Sequence, residues 1–304
     1  MKLLITGATG LIGKKILAKA IKNNITVHYL STRKHKLKVA DGVKGFYWNP
    51  EEDEIDGRCF QGVDTLIHLA GASISMPWTS KNKKRIMDSR VDSTRLLKRE
   101  IKQQKIKLKN IVCASAIGIY PNSLVTEYDE NSSLEPKNFL QQVTMAWEEE
   151  SQSLSSFTEQ LSILRIGLVL SGDGGLLSKL ALPVKFFSGA AFASGKQWQS
   201  WIHIEDLSNL FFTAVDQNWS GVFNAVAPNP VTQKSLIKGI GKVLGRPVFL
   251  PNIPAVLLKT LMGERSVLIL GSQKISADLI VAKGFSFQYE FLDNALQDVL
   301  SKKE

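Results

Sequence analysis

The sequence predicts an α/β protein built on a doubly wound parallel sheet, and three observations carry that prediction. The first is Thr6-Gly7-Ala8-Thr9-Gly10-Leu11-Ile12-Gly13, set between an apolar run, residues 2–5, and a helix-periodic set, Ile12, Ile16, Leu17, Ala20 and Ile21. The second is recurrence: apolar runs at 25–30, 63–69, 108–115 and 161–170 read as buried strands, with helical patterns between most of them. The third is a change of character from residue 176 to 202. There glycines and the aromatics Phe186, Phe187, Phe192, Trp198 and Trp201 replace the regular rhythm and suggest a pocket wall or core positions.

The glycine segment gives the fold its chemistry. Gly7 permits a tight turn, Gly10 leaves the backbone open to a pyrophosphate, and Gly13 lets the helix approach the sheet. The helix start then presents free N–H groups to the anion. Thr6, Gly7, Thr9, Gly10, Leu11, Ile12 and Gly13 are therefore cofactor-binding candidates, and the fold class is Rossmann-like.

The second strand, 25–30, ends in Ser31-Thr32-Arg33-Lys34. An Asp or Glu at this place accepts the ribose hydroxyls of NAD, and the segment has neither. A guanidinium instead pairs a 2′-phosphate through two N–H groups. Ser31, Thr32, Arg33 and Lys34 thus favour NADP(H) over NAD(H). Residues 63–71 read as a strand followed by small residues, with Leu69, Ala70 and Gly71 walling the cofactor's phosphate and ribose.

Residues 43–47 read as a third strand, and the stretch from Trp78 to Lys107 turns helical after a short loop. Arg85 and Arg90 lie on it; Arg90 can reach inward, but a surface or ion-paired arginine is the favoured reading. Ser115 closes the strand at 108–115, at the sheet end where ligands bind in open α/β folds, and is the catalytic candidate. A helix over 136–150 and a strand over 161–170 follow. Asp206, beside His203, reads as a helix cap. A helix is expected in 272–282, and 285–289 alternates like a strand. Residues 1–175 form mainly the dinucleotide-binding domain. Residues 176–304 form mainly a small substrate-side, C-terminal cap, with 203–226 returning to the Rossmann core.

Composition narrows the partners. Net charge is +10, from 38 Lys and Arg against 28 Asp and Glu. The lysines fall largely in short runs at 33–38, 81–85 and 98–109, a solvated surface without the aromatic-and-basic motif of a nucleic-acid reader. Cys59 and Cys113 have neither metal-ligand spacing nor the pattern of a disulfide framework. No uncharged apolar run reaches spanning length. The expectations are no metal, no nucleic acid, no membrane and a cytoplasmic location. The partner is a small-molecule substrate of unspecified identity, with monomer and homodimer both open.

Taken together, these segments resemble the extended short-chain dehydrogenase/reductase superfamily, in its epimerase/dehydratase-like branch with a C-terminal domain of unknown function. Residues 6–13 match the superfamily's phosphate loop and 68–71 its small-residue signature. Trp201-Ile202-His203-Ile204-Glu205-Asp206 resembles the branch's Trp-Ile-His-Ile-Asp-Asp segment, and 263–266 and 270–274 its C-terminal motifs. The resemblance implies NADP-linked redox chemistry by a Ser or Thr, a Tyr and a Lys, in which Tyr passes a proton and Lys lowers its pKa. Ser115 fits the first place. Phe139 and Val143 stand where Tyr and Lys are expected, and neither does their chemistry. Two classes follow: an NADP(H)-dependent epimerase or oxidoreductase with a non-standard proton donor (Tyr120, Tyr128 or His203), or a catalytically silent NADP(H)-binding regulator.

Overall fold

The computed structural model describes residues 1–40 and 42–301, in two compact units. The first comprises residues 1–116, 138–165 and 208–223; the second 117–137, 166–207 and 224–304. The division is not linear along the chain. Residues 117–137, read as part of the first domain, group with the second unit.

In the first unit, β1 (Lys2–Thr6) leads through the glycine turn into α1 (Leu11–Lys22) and β2 (Thr26–Ser31). Then come β3 (Val43–Asn49), β4 (Thr65–His68), α2 (Ser80–Gln103), β5 (Leu108–Ala116), α3 (Phe139–Gln152) and β6 (Thr158–Ile166). Leu3, Leu4 and Ile5 are all fully buried. A strand with apolar side chains on both faces belongs at the centre of a parallel sheet covered by helices. The strand order bears this out: β9 (Gly221–Ala225), β6, β5, β4, β1, β2, β3, with Val39–Ala40 at the edge. The pairings β4–β5, β1–β4, β1–β2 and β2–β3 are all parallel. The order reverses between β1 and β4, and that switch point is where ligands bind in doubly wound sheets.

Local chemistry fixes the helices. Thr79 accepts from the Asn82 N–H to cap α2. Asn138 and Gln141 form a capping box on α3. The core beneath joins Leu4, Phe46, Trp48 and Leu66 of the sheet to Leu96, Leu97 and Ile101 of α2.

The second unit has its own core. Helices α4 (Gly175–Lys185), α6 (Gln233–Val243) and α8 (Leu292–Ser301) pack round Trp201, which is fully buried. The run 161–170 is not one strand. It breaks at Gly167, where a Cβ would lie 2.5 Å from the Ser200 carbonyl oxygen. Beyond it β7 (Leu168–Leu170) pairs with β8 (Trp201–His203) in a separate ribbon. Helix α5 spans Ile204–Asp216 and α7 spans Ala255–Met262. The expected helix at 272–282 is instead a short strand, Lys274–Ile275, and one short helix, Asp278–Ala282. No strand forms at 285–289. Its alternation is that of an extended segment whose Gln288 and Tyr289 N–H groups donate to Asp206, at 2.8 and 2.9 Å. Asp206 therefore anchors that segment rather than capping α5.

Candidate functional site

The turn after β1 is shaped by close approach. Gly7 adopts φ +69°, and a Cβ there would lie 3.0 Å from the Leu69 carbonyl. A Cβ on Gly13 would stand 2.2 Å from the Gly7 oxygen, so only glycine lets α1 begin this near the strand. The Gly7 carbonyl accepts from the Gly10 N–H at 2.9 Å. Gly10 is the N-cap of α1, without a side-chain cap, and the first turn holds no acid. The positive end of the helix dipole is thus left for an anion.

A cleft of about 630 Å³ opens at this turn, within the range of small-molecule sites. Eight of the expected residues line it: Gly7, Thr9, Gly10, Ser31, Thr32, Arg33, Ala70 and Gly71. The other six do not. Thr6 is fully buried beneath the turn, and Leu11, Ile12 and Gly13 belong to the start of α1. Leu69 packs its backbone on Gly7. The Lys34 ammonium lies 4.7 Å from the centre of the Tyr47 ring, and Lys36 faces the cleft in its place. The end of β3 and the residues after it, Asn49, Pro50 and Glu51, add a wall beside Arg33, and Arg85 of α2 joins them. Arg85 Nε lies 3.3 Å from Glu51 Oε1, an exposed pair.

The catalytic candidates lie elsewhere. Ser115 is buried, and its hydroxyl donates to Glu148 Oε1 at 2.5 Å. Arg165 grips both oxygens of the same carboxylate, at 2.9 and 2.8 Å. Phe139 meets Trp78 edge-on, with ring centres 5.0 Å apart, and Val143 is buried. In the second unit, Tyr120 is fully buried and donates to Asn224 Oδ1 at 2.8 Å. Tyr128 stacks on it with centres 5.6 Å apart. His203 is fully buried against Tyr289, 3.8 Å between centres, and its Nδ1 accepts from the Glu205 N–H. Among the described residues no cluster of His, Cys, Asp and Glu could hold a metal ion.

With this geometry in hand, two family descriptions match the chain: the NAD dependent epimerase/dehydratase family over residues 3–148, and a domain of unknown function (DUF1731) over 253–299. The epimerase family protein YfhF of Bacillus subtilis is 34% identical over 309 residues, covering 100% of this chain and 99% of that protein. The chain belongs to the NAD-dependent epimerase/dehydratase family. An Arabidopsis thaliana relative, the chloroplastic homologue of epimerase family protein SDR39U1, is 33% identical over 99% of this chain and 87% of its own. The crystal structure of human epimerase family protein SDR39U1 with NADPH superposes with a TM-score of 0.86 at 27% identity, over 99% of each chain. UDP-glucuronic acid 4-epimerase from Bacillus cereus, at 18% identity and a TM-score of 0.80, shares the fold.

In this family member one histidine organises the cleft, and sequence reasoning passed over it. The Leu69 and Ala70 N–H groups donate to Thr6 Oγ1 at 3.0 and 3.1 Å. The Thr6 proton therefore goes to His68 Nδ1, 2.7 Å away. Nε2 then carries the ring proton and donates to Thr94 Oγ1 at 3.0 Å, and Thr94 donates to the Arg90 carbonyl at 2.8 Å. The chain ties the ends of β1 and β4 to α2. It requires a neutral ring, and burial pushes the His68 pKa down to about 4. Arg90 likewise turns inward, contrary to the surface reading. Its guanidinium donates to the Ala72 and Ile86 carbonyls and lies 5.0 Å from the Trp147 ring centre. Burial lowers its pKa to about 10. The available signal for the missed wall was topological: the end of the third strand borders the cleft in this strand order, and Asn49 closes that strand with Pro50 and Glu51 directly after it.

Proposed function

We propose that this protein binds NADP(H) in the first unit's cleft and acts, as an epimerase or oxidoreductase, on a small carbonyl or hydroxyl metabolite. The observation that carries the cofactor reading is the cleft's charge: Arg33 and Lys36 line it beyond the end of β2, the one acid among the described lining residues, Glu51, pairs with Arg85, and no acid stands on β2 to accept ribose hydroxyls. Gly7, Gly10 and the uncapped start of α1 suit a pyrophosphate, Arg33 suits a 2′-phosphate, and Ala70 and Gly71 leave room for the cofactor backbone. The nicotinamide supplies hydride chemistry when bound. This chain's residues orient the cofactor and supply or withhold a proton.

The relative with NADPH in its crystal structure supports this choice of cofactor. Titration calorimetry tests it. NADPH binds wild type roughly tenfold or more tightly than NADH, and Arg33→Ala removes most of that preference, a change of about 1.5–3 kcal/mol. Equal wild-type affinities, or a preference untouched by Arg33→Ala, reject the assignment.

The commitments of Ser115 to Glu148 and Tyr120 to Asn224 favour a second reading, a silent NADP(H)-binding regulator. In both readings Ser115 positions α3 through Glu148. Loss of reduced-nicotinamide absorbance, or for a redox-neutral epimerase the stereochemical inversion of a substrate followed by NMR, with any member of a carbonyl and hydroxyl metabolite panel supports the enzyme; dinucleotide binding with neither signal across the panel supports the regulator.

A further inference from the structure

We propose that the second unit carries an interfacial face that binds the surface of an anionic lipid bilayer. Residues 174–204 and 229–262 hold eight lysines and arginines and no aspartate or glutamate, in a chain whose net charge is +10. The same two segments expose large apolar side chains: Val256 at 75%, Phe186 and Leu261 at 73%, Phe249 at 69% and Leu182 at 57%. Single exposed apolar residues are ordinary on a protein surface. A cluster of them rimmed by one sign of charge marks a binding surface.

The segments are neighbours in space. The Ala193 N–H donates to the Ile253 carbonyl, and the Ile253 N–H to the Ala191 carbonyl, both at 2.8 Å. The chain leaving α4 therefore runs beside the chain entering α7. Charge and apolar surface are interleaved there, since the Arg246 guanidinium lies 4.7 Å from the Phe187 ring centre. A pocket of about 370 Å³ lined by Lys238, Lys242 and Arg246 adjoins it. The Lys242 ammonium pairs with Asp293 of α8 at 2.6 Å, so an acid from outside the two segments meets this rim there. Helix α7 buries Leu258 and turns Val256 and Leu261 outward.

The occupant must accept phenyl and aliphatic groups while presenting many negative charges. A bilayer interface with anionic headgroups does both: the rings and aliphatics enter the headgroup–acyl boundary, and the cations meet lipid phosphates. Nucleic acid would satisfy the lysines and leave the exposed apolar side chains of the two segments in water. No described helix is long and apolar enough to cross a membrane, so the association is peripheral. The expectation of no membrane partner rested on the lack of a spanning run, which does not bear on an interfacial face.

Co-sedimentation of the intact protein with vesicles tests the proposal. The protein pellets with phosphatidylcholine vesicles containing phosphatidylglycerol, pellets much less with pure phosphatidylcholine, and is released by salt. Lys185→Gln and Lys238→Gln each weaken binding about fivefold. Phe249→Ser combined with Leu261→Ser weakens it roughly tenfold or more, with the circular-dichroism melting curve retained to show an intact fold. Failure to pellet with anionic vesicles, or equal binding to neutral ones, overturns the proposal. So does a dimer in sedimentation velocity that Phe249→Ser with Leu261→Ser dissociates, because the face then belongs to a second copy.

Discussion

Two pairs of strand ends in one sheet make opposite use of the same position. At the carboxyl ends of β1 and β4 the chain leaves room: glycines, a threonine hydroxyl turned under the floor, and an uncapped helix start surround a cleft. At the carboxyl ends of β5 and β6 it fills the room with charge: Ser115, Glu148 and Arg165 close on one another. The first pair is built from backbone, with N–H groups at an uncapped helix start. The second is built from side chains that satisfy themselves. The position at the end of a parallel strand therefore gives an opportunity for function, and the side chains nearby decide whether it is taken.

The largest effect that separates the two regions falls on Arg165. Arg165→Met leaves the Glu148 carboxylate buried without its cation and lowers stability by about 3–5 kcal/mol. Adding Glu148→Gln recovers much of that loss. Denaturant titration of the single and double variants checks both, and a single variant as stable as wild type would show that the pair does not hold the β5–β6 end.

On the cleft side, His68 ties stability to pH. Its folded pKa, about 4, lies below the ordinary 6.5, so folding favours the neutral ring. The contribution is fully present above pH 6.5 and is lost as pH falls toward 4, about 3 kcal/mol in all. His68→Gln flattens that part of the stability profile. A wild-type profile with no decline between these limits would contradict the neutral relay from Thr6 to Thr94.

Gly10→Asp sharpens the contrast by closing the open region without damaging the fold. Gly10 is extended (φ −80°, ψ 177°) at the N-cap of α1, a place where aspartate is favoured. Its carboxylate would take the N–H groups and repel the phosphates. A Cβ there stands 3.2 Å from the Gly7 oxygen, a tight contact that offsets part of the capping gain, so we expect a folded variant with a melting temperature near that of wild type and dinucleotide affinity reduced roughly a hundredfold. Retained affinity in the folded variant would place the phosphates elsewhere. The smallest effect is at Ser115: Ser115→Ala removes one hydrogen bond, costs about 1 kcal/mol by chemical denaturation, and leaves NADPH affinity by calorimetry unchanged.

Much of the cleft was legible because its rules are local. A glycine that must turn, a glycine that must let a helix approach, and the residues directly after β2 all lie within a short stretch around one turn. The self-satisfied region was not legible, since Ser115 donates to a carboxylate on α3 that an arginine on β6 also holds, partners that sequence spacing does not bring together. The same holds for Arg90: an inward turn was open to it, but helical spacing did not name Trp147 and two carbonyls as its partners. Periodicity misled at 285–289, where alternation records one packed side of an extended segment but its N–H groups go to Asp206 rather than a neighbouring strand. It misled again at Gly167, where an apolar run continues across a change of partner strand.

A crystal structure of the protein with NADPH tests the central claim most directly. The account predicts the pyrophosphate at the start of α1 beside Gly7 and Gly10, and the 2′-phosphate against the Arg33 guanidinium, with Ser115 still donating to Glu148. A dinucleotide bound away from the glycine turn, or one whose 2′-phosphate lies out of reach of Arg33, would contradict it.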